Sequence, residues 1–78
     1  MYVYCCCTER RISSEIGSYY SFGLTVQSLN CKDGTTKNIT SLPDISLNRT
    51  FVEQLATLYT DLQLDPVHLM DAVEDALL

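Results

Sequence analysis

The chain has a single histidine, His68, and no lysine or arginine beyond Arg49. The first scarcity removes most side-chain catalysis. Any serine, threonine or cysteine nucleophile would depend on that one imidazole, and there is no Gly-x-Ser-x-Gly elbow or phosphate-cradling glycine-rich loop. The expectation is a protein that is not an enzyme and has no catalytic residue. The second scarcity argues against nucleic acid, because affinity for phosphate comes from clustered basic side chains. The chain has 5 Lys and Arg against 10 Asp and Glu, a net charge of −5. No apolar run approaches the roughly 20 residues of a membrane helix. The segment Met1 to Cys7 has no basic leader and is too short an apolar stretch to mark the chain for export. A cytoplasmic protein that contacts neither membrane nor nucleic acid is expected. Repeats, linkers and low-complexity tracts are also missing.

What remains is 78 residues of ordinary globular composition, 46% hydrophobic and 19% charged. This length allows one domain, residues 1–78, which by surface scaling buries only about 63% of its unfolded surface. A domain this marginal gains from an oligomer or a partner. Charge is unevenly placed: residues 1–49 carry all five basic side chains against four acidic ones, and residues 50–78 carry six acids and no Lys or Arg.

Three of the four cysteines, Cys5, Cys6 and Cys7, are adjacent. In an extended segment Cys5 and Cys7 share one face and Cys6 takes the other. That is neither a disulfide framework nor the paired spacing of a zinc site, so reduced, inert thiols and no metal or cofactor are expected. The alternative is a small-molecule or metal-binding module that uses His68 with nearby carboxylates or with Cys5, Cys7 and Cys31.

Patterning predicts strands at about residues 2–8, 18–30 and 35–42 and helices at about 48–62 and 66–77. Glu9 to Gly17 reads as a polar loop. In the second strand Tyr20, Phe22, Leu24 and Val26 share a core-facing side, and Gly23 suits a bulge or a closely packed neighbour. Lys32-Asp33-Gly34-Thr35 reads as a two-residue hairpin turn on Asp-Gly. That turn sets Cys31 opposite Thr36, Leu29 opposite Asn38 and Ser28 opposite Ile39, which turns Ile39 to the core. The third strand is expected to stop before Pro43. For the first strand, Val3-Cys5-Cys7 and Tyr2-Tyr4-Cys6 are equally suited to meet the core.

The first helix is expected to be capped by Asn48 or Ser46, or to use a Thr50/Glu53 capping box. Its apolar stripe is Phe51, Val52, Leu55, Leu58, Tyr59 and Leu62, with Glu53, Gln54, Thr57, Thr60 and Asp61 opposite. Asp65-Pro66 starts the second helix, whose inner face is Leu69, Met70, Val73 and Leu77. His68, Asp71 and Asp75 fall within about 60° on its other side, where His68 and Asp71 can pair across one turn. Asp71, Glu74 and Asp75 lie toward a helix C-terminus, where negative charge opposes the macrodipole. That tolerated cost points to a basic partner, with His68, Asp71, Glu74 and Asp75 as its binding positions.

Leu64-Asp65-Pro66-Val67-His68-Leu69-Met70-Asp71-Ala72-Val73-Glu74-Asp75-Ala76-Leu77, preceded by Tyr20-Ser21-Phe22-Gly23-Leu24 and Asp44-Ile45-Ser46, resembles a family of small uncharacterised proteins of clostridia-like Gram-positive bacteria. Members of that family carry a Tyr-x-Tyr-Gly-Ile strand, then Asp-Ile-Ser, then a closing helix like His-Leu-x-Asp-Val-Val-Glu-Asp-Phe-Leu. Ala72 and Ala76 stand here at the Val and Phe positions. The resemblance spans residues 20–78 and leaves the first 17 residues outside. It implies a bacterial cytoplasmic protein, carries over no catalytic residue, and marks the same four positions from His68 to Asp75.

The sequence therefore predicts an α+β fold, a three-stranded antiparallel meander with two C-terminal helices on one face. A three-stranded sheet has two open edges and a second face that it cannot hide alone. The functional expectation is a small acidic interaction or regulatory protein that forms a homodimer and contacts a protein partner.

Overall fold

The computed structural model describes residues 1–78. In chain order these form β1 (Tyr2–Ser13), β2 (Gly17–Leu29), β3 (Thr36–Ser46), α1 (Arg49–Leu62), a 3-10 turn (Pro66–His68) and α2 (Leu69–Leu77). The strands make one antiparallel sheet in the order β1-β2-β3, the α+β meander that the patterning predicts. Both helices contribute to a core on one sheet face, in which Leu24, Val26 and Val52 are fully enclosed.

β1 and β2 pair without a break, from Tyr2 opposite Ser28 to Ser13 opposite Gly17. Glu9 to Ser13 is therefore strand and not loop. The connection is the short turn Ser14 to Ile16, closed by Gly17 at φ +78°. The far end of this ribbon lies beyond the helices, so its residues are polar or exposed, and that composition imitates a loop. The open question of the first strand is resolved: Tyr4 is buried, and Tyr2 and Cys6 pack beside it. The rings of Tyr4 and Tyr59 meet edge to face, 5.7 Å apart at 72°.

The β2–β3 register differs from expectation. Leu29 faces Thr36 and Ser28 faces Lys37, two positions off the two-residue Asp-Gly turn. Side-chain chemistry selects a wider loop: the Asn30 carbonyl accepts from the Gly34 amide (2.8 Å) and its side chain from the Lys32 amide (3.0 Å). The Asp33 carboxylate accepts from the amide and hydroxyl of Thr35. These contacts hold the Asp33 carboxyl below its ordinary pKa. A bulge follows between Val26 and Gln27, and Ile39 is carried out to 44% exposure. Leu42, opposite Leu24, takes the inward place expected of Ile39.

β3 also continues through Pro43, to Ser46 opposite Phe22. A second bulge makes this possible, with Asp44 in the left-handed region at φ +58°. Gly23 is the other half of that device. A β-carbon there would collide with the Leu42 carbonyl and lie 2.7 Å from Pro43 Cα, so the backbones approach only because Gly23 has none.

Asn48 is the N-cap of α1, its side chain accepting from the Phe51 amide at 3.2 Å. The buried stripe is Val52, Leu55, Ala56 and Tyr59. Leu58 and Leu62, expected in the stripe, are exposed, because Thr60 faces β1 and lies about 200° round the helix from both. In α2 only Leu69 and Val73 are buried. Met70 and Leu77, expected inside, stand 59% and 54% exposed beside the β3 edge. A nine-residue helix with its i, i+4 pair inward turns the neighbouring stripe to solvent.

The result is elongated, 49 × 26 × 19 Å with a radius of gyration of 13.6 Å. A compact chain of this length would have about 11.5 Å. The surface is 5383 Å², against roughly 4,800 Å² from the scaling law.

Candidate functional site

The four positions singled out on the closing helix are all exposed. His68 ends the 3-10 turn and sits at the N-cap of α2, and Asp71 lies in that helix's first turn. Negative charge there complements the macrodipole, so Asp71 is favourable where the sequence suggested a cost. Only Glu74 and Asp75 approach the C-terminal end. Burial, followed by the charge of Asp75, pushes the Tyr59 hydroxyl above its ordinary pKa.

The structure does not pair His68 with Asp71. The ion pairs are Arg11–Glu9 at 2.7 Å, Arg11–Asp44 at 3.7 Å and Arg49–Glu53 at 2.8 Å. His68 lines none of the surface depressions, so it offers no enclosed site for proton transfer. No three His, Cys, Asp or Glu side chains are grouped so as to hold a metal. The alternative set of His68 with Cys5, Cys7 and Cys31 is therefore not assembled. Cys5 and Cys7 lie on the sheet face away from the core, His68 belongs to the covered side, and Cys31 is exposed in the β2–β3 loop.

A different feature emerges at the outer edge of β1. Its backbone groups alternate between β2 and the outside. At Tyr2 and Tyr4 the outside groups are already occupied by α1. The Gln63 side chain accepts from the Tyr2 amide and donates to the Tyr2 carbonyl, both at 2.9 Å. It does so from the left-handed C-cap of the helix, φ +51°. Thr60 accepts from the Tyr4 amide at 2.9 Å and donates to its carbonyl at 3.4 Å. The Tyr4 hydroxyl donates to the Leu64 carbonyl at 2.5 Å, locking the segment after α1 to the same strand. Beyond this, the outward groups of Cys6, Thr8, Arg10 and Ile12 have no protein partner.

Alongside the closed part of the edge runs a groove of about 590 Å³ between β1 and α1, with Cys6, Ala56, Thr57 and the carboxylates Glu53 and Asp61 in its lining. Burial, then the Glu53 charge, raises the Cys6 thiol above its ordinary pKa, which disfavours a reactive thiolate. Glu53 and Asp61 also line a neighbouring depression of about 390 Å³ on the outer side of α1. Carboxylates thus line depressions beside both helices, Glu53 and Asp61 on α1 and Asp44 with Glu74 between β3 and α2.

Sequence reasoning missed Thr60 and Gln63 as edge caps. Both are polar residues of a kind common on a solvated helix face. The only clue in the chain is position: Gln63 follows directly on the last turn of the helix.

No curated protein and no solved structure matches the chain. A family model described as a family of unknown function, DUF6514, matches residues 2–78 and takes in β1 and the cysteine triplet, which the sequence resemblance left outside. The chain belongs to this family of unknown function.

Proposed function

We propose that the protein is a small acidic interaction protein that acts by self-association and by contact with a basic protein partner, with no catalysis of its own. One observation carries the reading. Only eleven of 78 residues are buried, while twelve large apolar side chains are exposed. Ile12, Ile16 and Tyr20 are among them on the ribbon, and Val67, Met70 and Leu77 beside the β3 edge. A domain that leaves this much apolar surface in water gains most by covering it with another chain. The non-catalytic part rests on the solvent-facing His68 and on its separation from Cys5 and Cys7, which lie on the opposite face of the sheet.

Light scattering on a sizing column, with reductant present, tests self-association. The expected mass is twice the 8.8 kDa of the chain, and a monomer at every concentration would overturn that half of the reading. For the acidic face of α2, the test is charge reversal by Asp71→Lys with Asp75→Lys. Binding to a lysine-rich peptide is expected to fall about tenfold or more. Unchanged binding by a folded double variant would sink the partner assignment.

A further inference from the structure

The self-association proposed above leaves its geometry open, and the edges of the sheet choose it. β3 is a poor edge: two bulges interrupt it, and Pro43 has no amide to donate. β1 has neither bulge nor proline and is regular over its whole length. Its N-terminal part is closed by Gln63 and Thr60, so a partner strand can use only the stretch from Cys6 onward.

Antiparallel pairing of two β1 strands about a two-fold axis must bring outward-facing residues opposite one another. An axis at Cys7 leaves only Cys6 to Thr8 to pair, because the next outward groups, those of Tyr4, are held by Thr60. Axes at Glu9, Arg10 or Arg11 set like charges directly opposite, which destabilises a strand pair. An axis at Ile12 leaves almost no strand, because β1 ends at Ser13. Thr8 remains. About that axis Cys6 faces Arg10, and Cys7 faces Glu9, with no like charges opposed.

The same register has a second consequence. Even-numbered side chains of β1 point to the helix side, as Tyr4 and Cys6 do. Arg10 of each copy would therefore stand beside Cys6 of the other, near Glu53. Ile12, 80% exposed in one copy, would be carried over the groove that Ala56, Thr57 and Asp61 line in the other. A cation and an apolar residue meet an acidic groove with an apolar floor.

We propose that a second copy of this chain adds to the β1 edge, pairing Cys6–Arg10 antiparallel about Thr8 into a continuous six-stranded sheet and seating Arg10 and Ile12 in the partner's β1–α1 groove. This inference rests on the self-association reading and specifies it. The unsupported ribbon becomes the centre of the assembly, and it gains on its outer side the strand that β3 does not reach far enough to supply.

The test is Thr8→Pro, followed by light scattering and a heteronuclear NMR spectrum. The Thr8 amide points away from β2, so proline removes no bond of the β1–β2 ladder and blocks only the incoming strand. The wild-type chain is expected to be a dimer, and the variant a folded monomer with a dissociation constant raised about tenfold or more. Thr8→Arg, which keeps the backbone and sets two cations at the axis, is expected to do the same and decides the matter if the proline variant does not fold. Folded variants that remain dimeric would overturn the β1 pairing and leave self-association standing. A monomeric wild-type chain would overturn both.

Discussion

The two halves of the sheet share strands and differ in what holds them. In one half Tyr2 to Cys6 and Leu24 to Leu29 lie beneath the helices, with Tyr4, Leu24 and Val26 in a core that also includes Val52, Tyr59, Leu69 and Val73. In the other, Thr8 to Ser13 and Gly17 to Ser21 form a two-stranded ribbon with no helix above it and no third strand beside it. An isolated hairpin of this kind is marginal in water. Its anchors are polar: on the sheet's uncovered face the half-exposed Arg11 donates to the fully buried Ser21 at 3.3 Å and pairs with Glu9 and Asp44. Regular hydrogen bonding therefore extends well past the region that apolar burial stabilises. The ribbon is the part whose stability depends most on what else it touches.

Substitutions should separate the halves. Leu24→Ala opens a cavity where the side chain is fully enclosed and should cost about 2–5 kcal/mol, read as a lowered urea midpoint. Gly23→Ala, at the junction of the halves, forces Pro43 and Leu42 away from β2 and should cost about 1–3 kcal/mol. Gln63→Ala frees the Tyr2 backbone groups and should cost about 1 kcal/mol, with faster amide exchange at Tyr2. Ile16→Ser, at the ribbon tip, should change stability by no more than about 0.5 kcal/mol. A cost for Ile16→Ser comparable to that of Leu24→Ala would erase the distinction between the halves.

The covered half was largely legible in the sequence. Alternation over Phe22, Leu24 and Val26 marked the inward face of β2. Tyr20, in the same alternation and expected in the core, lies beyond the helices and stands 61% exposed. Asn48 and Asp65 marked the starts of the helical segments. The errors have physical causes. Asp33-Gly34 matched a tight-turn signal, but Asn30 and Asp33 offered side-chain bonds that favour a wider loop. Pro43 reads as a strand terminator, yet a bulge with Asp44 at positive φ lets β3 pass it. Met70 and Leu77 have the spacing of an inner face, but the sheet is too narrow to cover them. The edge caps were least legible, because a glutamine or threonine that binds a distant backbone looks like any solvated residue. For the candidate site, the acidic side chains on α2 were identified as exposed, while the acidic groove between β1 and α1 arises only when Glu53 and Asp61 are set beside a strand about 50 residues earlier in the chain.

Residue-resolved amide hydrogen exchange reads out whether the free edge of β1 is paired in solution. The inward amides of Cys5, Cys7 and Glu9 bond to β2 in either case and serve as the internal standard. With the edge paired, the outward amides of Cys6, Thr8 and Arg10 are expected to exchange as slowly as these, and dilution below the dimer dissociation constant to speed them selectively. Rapid exchange at all three in the concentrated protein, with the inward set protected, would contradict the pairing.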